Sequence, residues 1–155
     1  MGIGLLAPVP AVHLKAALDA CAAAGRVAFG TEAFDVFHKV MSDYGAGIPV
    51  LIYPTQHWGN PDGLCDPGYV RFRGTLVGTV AARAGKHPNP AVRPATSISG
   101  DRPDGRWAMF WEVSDLVRLP DAERIAITAL ATEVGKPLAK GFVPHGPMAV
   151  KAGFL

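Results

Sequence analysis

"VRFRGTLVGTVAARAGKHP", residues 70–88, alternates like a β-strand, sets Arg71 and Arg73 on either side of Phe72, and runs through Gly74 and Gly78 into Arg83 and Lys86. Successive side chains of a strand point to opposite faces, so Arg71 and Arg73 share one face and Phe72 takes the other. The spacing predicts that Phe72 packs inward while both guanidiniums turn outward together, an arrangement suited to a phosphate backbone. Glycines inside a strand mark bends or bulges, which a sheet needs in order to curl. A solubilising basic face is the plainer alternative.

The rest of the chain supplies short elements on either side of this strand. Residues 3–9, "IGLLAPV", read as a buried strand, and residues 10–25 as a helix with Leu14, Leu18 and Cys21 on one face and Gly25 as its stop. A second strand, "RVAFGT", precedes a helix for which Thr31 is the expected N-cap, with Phe34, Phe37 and Met41 on its apolar face. "IPVLIYPT" is a wholly apolar run expected to be a central strand, followed by a turn-rich loop over 56–69. Beyond residue 82 comes a long loop, then the strand "RWAMFWEVSDLVRL", in which Trp107 and Trp111 should face the same side. A last helix is expected over 122–135 with Ile127, Leu130 and Val134 as its stripe, and a short strand in the tail. Glycine and proline, 18 and 14 of 155 residues, favour such short pieces joined by tight turns. No phosphate-binding glycine loop follows the first strand, so a doubly wound sheet is set aside. The fold class expected is α+β: one domain over 1–155, a small curved or closed mixed β-barrel with helices packed outside.

Charge is unevenly spread. Residues 1–70 carry three basic side chains against six acids, residues 71–106 carry seven against two, and residues 107–155 are balanced. A basic middle third points to a polyanionic partner. Two cysteines, Cys21 and Cys65, make no disulfide framework, which fits a reducing cytoplasm. No stretch approaches the roughly 18 unbroken apolar residues of a membrane span, and the N-terminal run lacks the basic start of a signal peptide. A soluble cytoplasmic protein that does not engage membranes is expected.

Three stretches resemble the PUA-like superfamily, nearest its EVE and YTH branches, with the ASCH branch as a cousin. They are "VAFGTEAFDVFHKV", the pair "AGIPVLIYPT" and "GTLVGTVAA", and "HPNPAVRP" with "RWAMFWEVSDLVRLP". The resemblance covers roughly residues 26–120. It implies a reader module whose barrel mouth accepts a nucleobase, often a modified one, flanked by basic residues. At the position of the YTH cage tryptophan this chain carries Phe29, which offers a smaller stacking face.

A base held out of its stack needs an aromatic face, partners for its edge and cations for the phosphates. Phe29, Tyr53, Trp58 and Trp107 are the candidate faces, with core packing as the alternative for Phe29. Thr31, Thr55, Gln56 and Asn60 could meet a base edge. Arg71, Arg73, Arg83, Lys86 and Arg93 are the candidate phosphate contacts. His57, Cys65, Asp66 and His87 all lie in loops, but none falls in a CxxC, HxxxH or HExxH pattern, so no metal or cofactor is expected. Asp62 and Asp66 read as turn residues rather than paired catalytic carboxylates. The sequence thus predicts a non-catalytic module for DNA or RNA. Two other readings stay open: a small-molecule or nucleotide-binding domain, or minor enzyme, using the same pocket, and a homodimer formed through the Trp-rich strand.

Overall fold

The computed structural model describes residues 2–98 and 107–155. Nine strands and three helices follow one another as β1 (Gly2–Pro10), α1 (Ala11–Ala24), β2 (Val27–Thr31), α2 (Phe34–Tyr44), β3 (Pro49–Thr55), β4 (Tyr69–Val70), β5 (Phe72–Ala81), α3 (Ala95–Ile98), β6 (Met109–Arg118), β7 (Ile125–Ala126), β8 (Ala131–Thr132) and β9 (Met148–Ala152). Seven strands form a sheet in the order β2-β6-β5-β3-β1-β9-β8, and β4 pairs with β7 in a separate ribbon. Among the described residues only the β1–β3 ladder is parallel. Among the described residues no ladder joins the edge strands β2 and β8. The architecture is α+β.

Alternation in the strands assigns the two faces. Leu5, Ala7 and Val9 of β1, Val50 and Ile52 of β3, Val27 and Phe29 of β2, and Met109, Trp111 and Val113 of β6 point into one core. Both long helices cover that face, α1 through Leu14, Ala17 and Cys21 and α2 through Phe37 and Val40. The intervening residues turn to the opposite face, where Leu6, Leu51, Tyr53 and Val150 form a second core and Ala28 and Phe110 a third. That outer face is covered by irregular chain: residues 119–143 lie over the second core through Ile127, Leu130 and Leu138, and residues 87–98 over the third through Val92.

The bulges read from Gly74 and Gly78 are present in the β5–β6 ladder. The β5–β6 register shifts twice, between Arg73 and Thr75 and between Leu76 and Gly78. Asp115, at φ 53, supplies the extra residue on β6 in the first bulge, and Val77 the extra one on β5 in the second. A Cβ on Gly74 would stand 2.4 Å from Val113 Cγ1, so close approach of the two strands requires glycine there.

Several expectations need correction. Thr31 ends β2 rather than capping α2: its Oγ1 accepts the Ala33 N–H at 2.9 Å, and the helix begins at Phe34. The helix expected over 122–135 is absent; that stretch forms two 3-10 turns and the two-residue strands β7 and β8. Five of its residues are β-branched (Ile125, Ile127, Thr128, Thr132 and Val134), which weakens a helix and suits extended backbone. Trp107 and Trp111 do not share a face. The strand begins only at Met109, so period two does not reach Trp107, which joins the third core while Trp111 enters the first. β6 pairs with β5 along its length and with β2 over Met109–Val113, so the part of the strand that carries Trp111 is paired on both sides. Gly25, at φ 80, ends α1 as expected, its N–H bonding Cys21 O. No helix of the described residues is long and apolar enough to cross a membrane.

Candidate nucleic-acid site

The aromatic candidates separate by face and by end. Phe29 is 6% exposed and packs 4.8 Å from Trp111, whose ring in turn stacks on Phe37 at 5.4 Å. Three rings fill the space where a base beside Phe29 would have to lie. Tyr53 points into the opposite core, its hydroxyl donating to Pro144 O at 2.6 Å. Burial pushes its phenol well above the ordinary range. Phe29 and Tyr53 therefore never meet in one pocket. Trp107 lies flat on β2: a Cβ on Gly30 would stand 2.5 Å from Trp107 Cδ2.

Trp58 behaves differently. It is 63% exposed, and its backbone sits in the left-handed region at φ 66, which costs a non-glycine residue of order 1–3 kcal/mol. Its loop leaves the carboxyl end of β3, beside the point where β1 gives way to α1, because Pro10 and Thr55 are partners in the parallel ladder. His57 meets the indole edge to face at 4.0 Å and His13, from the first turn of α1, at 5.7 Å. His13 Nδ1 is 2.7 Å from Thr96 Oγ1 of α3. Burial first, and Arg93 second, hold His13 below its ordinary value, so the neutral ring is favoured there. Thr55 is half-buried at the base of the loop, and Gln56 and Asn60 are exposed around it. Asn60 is not free to read a base, since its side chain clamps the backbone of Cys65 through both the N–H and the carbonyl.

The basic candidates divide as well. Arg71 does not turn outward with Arg73: it is 4% exposed, lies under residues 119–124 on the outer face, and pairs with Asp121 and, at 3.9 Å, with Asp66. Its Nε is buried without a partner. Arg124 holds Asp66 from the other side and covers the ring of Tyr69. Arg93 is also buried, donating to Ala28 O at 2.9 Å and lying over Phe110. Arg73, Arg83 and Lys86 remain exposed. Arg73 sits opposite Leu51 of β3, four residues before Thr55 and so about 13 Å back along the strand. Arg83 and Lys86 lie past the far end of β5, beyond the start of β3, whereas Trp58 lies past the end of β3. They belong to opposite ends of the sheet. Arg102 and Arg106 fall outside the described residues.

One group escaped the sequence reading. Glu112 of β6, buried, accepts from Arg26 Nε at 3.0 Å and contacts His87 Nε2 at 3.1 Å. His87 Nδ1 accepts the Asn89 N–H at 2.8 Å, so Nε2 carries the ring proton and donates to Glu112. This pins residues 87–89 to the sheet. Of the four loop residues weighed as metal ligands, His57 lies against Trp58, Asp66 goes to the arginines and His87 to Glu112, while Asn60 holds Cys65 by its backbone. Among the described residues no three His, Cys, Asp or Glu side chains gather where they could hold a metal. Elsewhere, an open, largely apolar cleft of about 390 Å³ lies between α2 and the β8 turn, lined by Val36, Val40, Val134 and Met148 among others.

No protein-family model matches the chain, and no curated protein matches it in sequence.

Proposed function

We propose that this chain is a nucleic-acid-binding module of PUA-like kind that stacks an unpaired base on Trp58. The observation that carries the reading is the indole itself, exposed and kept in a left-handed backbone at a strand end, with two histidine edges beside it. Every base has a π-face, and stacking on an aromatic side chain is worth roughly 1–3 kcal/mol. Arg73 is the exposed arginine on the strand next to β3 and supplies the phosphate contact; buried Arg71 and Arg93 hold the fold. The curled sheet expected of a PUA-like barrel is supported by the two β5–β6 bulges.

Titration of the native tryptophan emission with eight-nucleotide single-stranded RNA and DNA tests this. Saturable quenching that weakens with salt is expected, and Trp58→Ala should abolish it and raise Kd about ten-fold or more. An unchanged Kd in that variant sinks the proposal. A second reading, a small-molecule-binding domain, is favoured by the cleft between α2 and the β8 turn, whose lining calls for an apolar ligand. An apolar compound retained in native mass spectra, with no response to oligonucleotides, would select it.

A further inference from the structure

Among the described residues, half of β5 has no neighbouring strand on one side. β3 accompanies it only as far as Thr75, opposite Pro49, and Leu76, which bonds Ile48 and Gly47. Past the Val77 bulge, β5 pairs with β6 alone. The Ala82 N–H donates to Ala108 O on the β6 side. By the alternation of an antiparallel ladder, Ala81 and Thr79 then turn their N–H and C=O groups the other way. Among the described residues no strand receives them. Apart from the Val77 bulge, this edge is unguarded by sequence: residues 77–82, "VGTVAA", contain no charge and no proline, and Val77 is 41% exposed.

The chain then makes a tight turn. Arg83 and Lys86 exchange backbone hydrogen bonds around Ala84 and Gly85, both at positive φ. Arg83 points its backbone to the same side as Ala81, so Lys86 stands on the open side of β5, at the end of the vacant slot. Two like charges directly opposite one another are destabilising, and no carboxylate of the described residues pairs with either.

We propose that this free edge is a docking site for an extended acidic segment of a partner protein. The segment adds as a further strand beside Thr79 and Ala81, over about 10 Å, and its carboxylates meet Arg83 and Lys86. A nucleic acid would use the two cations but leave the edge amides and carbonyls unmet. A second copy of this chain adding its own edge, "VGTVAA", would bring no carboxylate to Arg83 and Lys86. The acidic strand satisfies both features at once.

The test uses fluorescein-labelled eight-residue peptides of alternating Val and Glu, with Val–Gln and Val–Lys counterparts, read by anisotropy and by amide NMR shifts. Saturable binding of the Glu peptide is expected, with shifts and slowed exchange at Thr79 and Ala81, and at least ten-fold weaker binding of the Lys peptide. Thr79→Pro removes an edge donor, and the double variant Arg83→Glu, Lys86→Glu reverses the charge. Each should weaken binding at least ten-fold with the far-ultraviolet circular dichroism unchanged, and Trp58→Ala should leave it alone. Equal affinity for the Lys peptide, shifts confined to other strands, or no binding overturns the proposal. So does displacement from the same amides by an eight-nucleotide strand, which would assign the cations to phosphate. A concentration-dependent dimer in sedimentation that Thr79→Pro abolishes would assign the edge to self-pairing and likewise overturn it.

Discussion

Residues 119–143 and residues 87–98 cover two halves of one sheet face, and each is fastened by a charged group that the sheet buries. Under the first, Arg71 reaches outward to Asp121, whose side chain is 87% exposed, and to Asp66, which Arg124 already holds. Under the second, Glu112 is itself buried and takes its hydrogen bonds from Arg26 and His87. In the first cover a buried cation meets carboxylates that water also solvates. In the second a buried anion depends wholly on the protein. Removing a buried charge that has other options is cheap; removing the partner that neutralises a buried group is not.

The largest effect should come from Glu112→Ala, which strands His87 and loosens the 87–98 cover. A loss of about 3 kcal/mol is expected, the upper end for a buried donor left without its acceptor, while Arg26, 37% exposed, keeps water. Urea unfolding measures it, and a loss near zero would break the comparison. Gly30→Ala acts on the same cover through Trp107, whose ring must shift to admit the methyl group. About 1–3 kcal/mol is expected, with a red shift in tryptophan emission as the ring moves toward water. Arg71→Met probes the other cover and should leave stability within about 1 kcal/mol of the parent, or raise it. Arg71 Nε has no partner to lose, and both carboxylates keep water or Arg124. A loss as large as that of Glu112→Ala would show that the two covers are fastened alike.

The smallest effect sharpens the picture at the far end of the second cover, where Thr96 meets His13. His13 titrates below its ordinary 6.5 in the fold, so the unfolded chain takes up the proton first. Its contribution is complete above about 6.5 and fades as pH falls through the lower folded value. His13→Gln should flatten the dependence of stability on pH across that window, measured by melting temperature.

The sheet half of this molecule was legible because its residues obey local rules. Apolar runs ending in Pro54 and Thr55, a helix stopped by Gly25, and glycines where β5 and β6 bulge all report their structure within a few residues. The covers were not, because their logic spans the chain. Arg71 reads as an outward arginine until Asp121, fifty residues later, folds over it. His87 reads as a loop residue until Glu112 arrives beneath it. The 122–135 stretch carries an apolar stripe at helical spacing, yet Val134 ends 89% exposed on a turn while Ile127 and Leu130 are buried. Its β-branched content was the signal that pointed the other way. Of the candidate site, the exposure of Trp58 was legible, since a tryptophan in a glycine-rich polar loop has little core to join. Phe29 and Tyr53 could not be told apart because β2 and β3, separated in the sheet by β6 and β5, carry no label for which face is which until the register is known.

The placement of β1 has a consequence for how the chain is made. β1 lies between β3 and β9, with Gly2 to Leu6 opposite Met148 to Ala152. During synthesis β1 must therefore wait, with Leu5 and Leu6 lacking their neighbours on that side, until β9 has been made. Contacts of such long sequence separation form slowly, and a nascent apolar strand with an open edge is a target for chaperones. Synthesis rate and chaperone supply, more than equilibrium stability, should set the yield of folded protein in a cell.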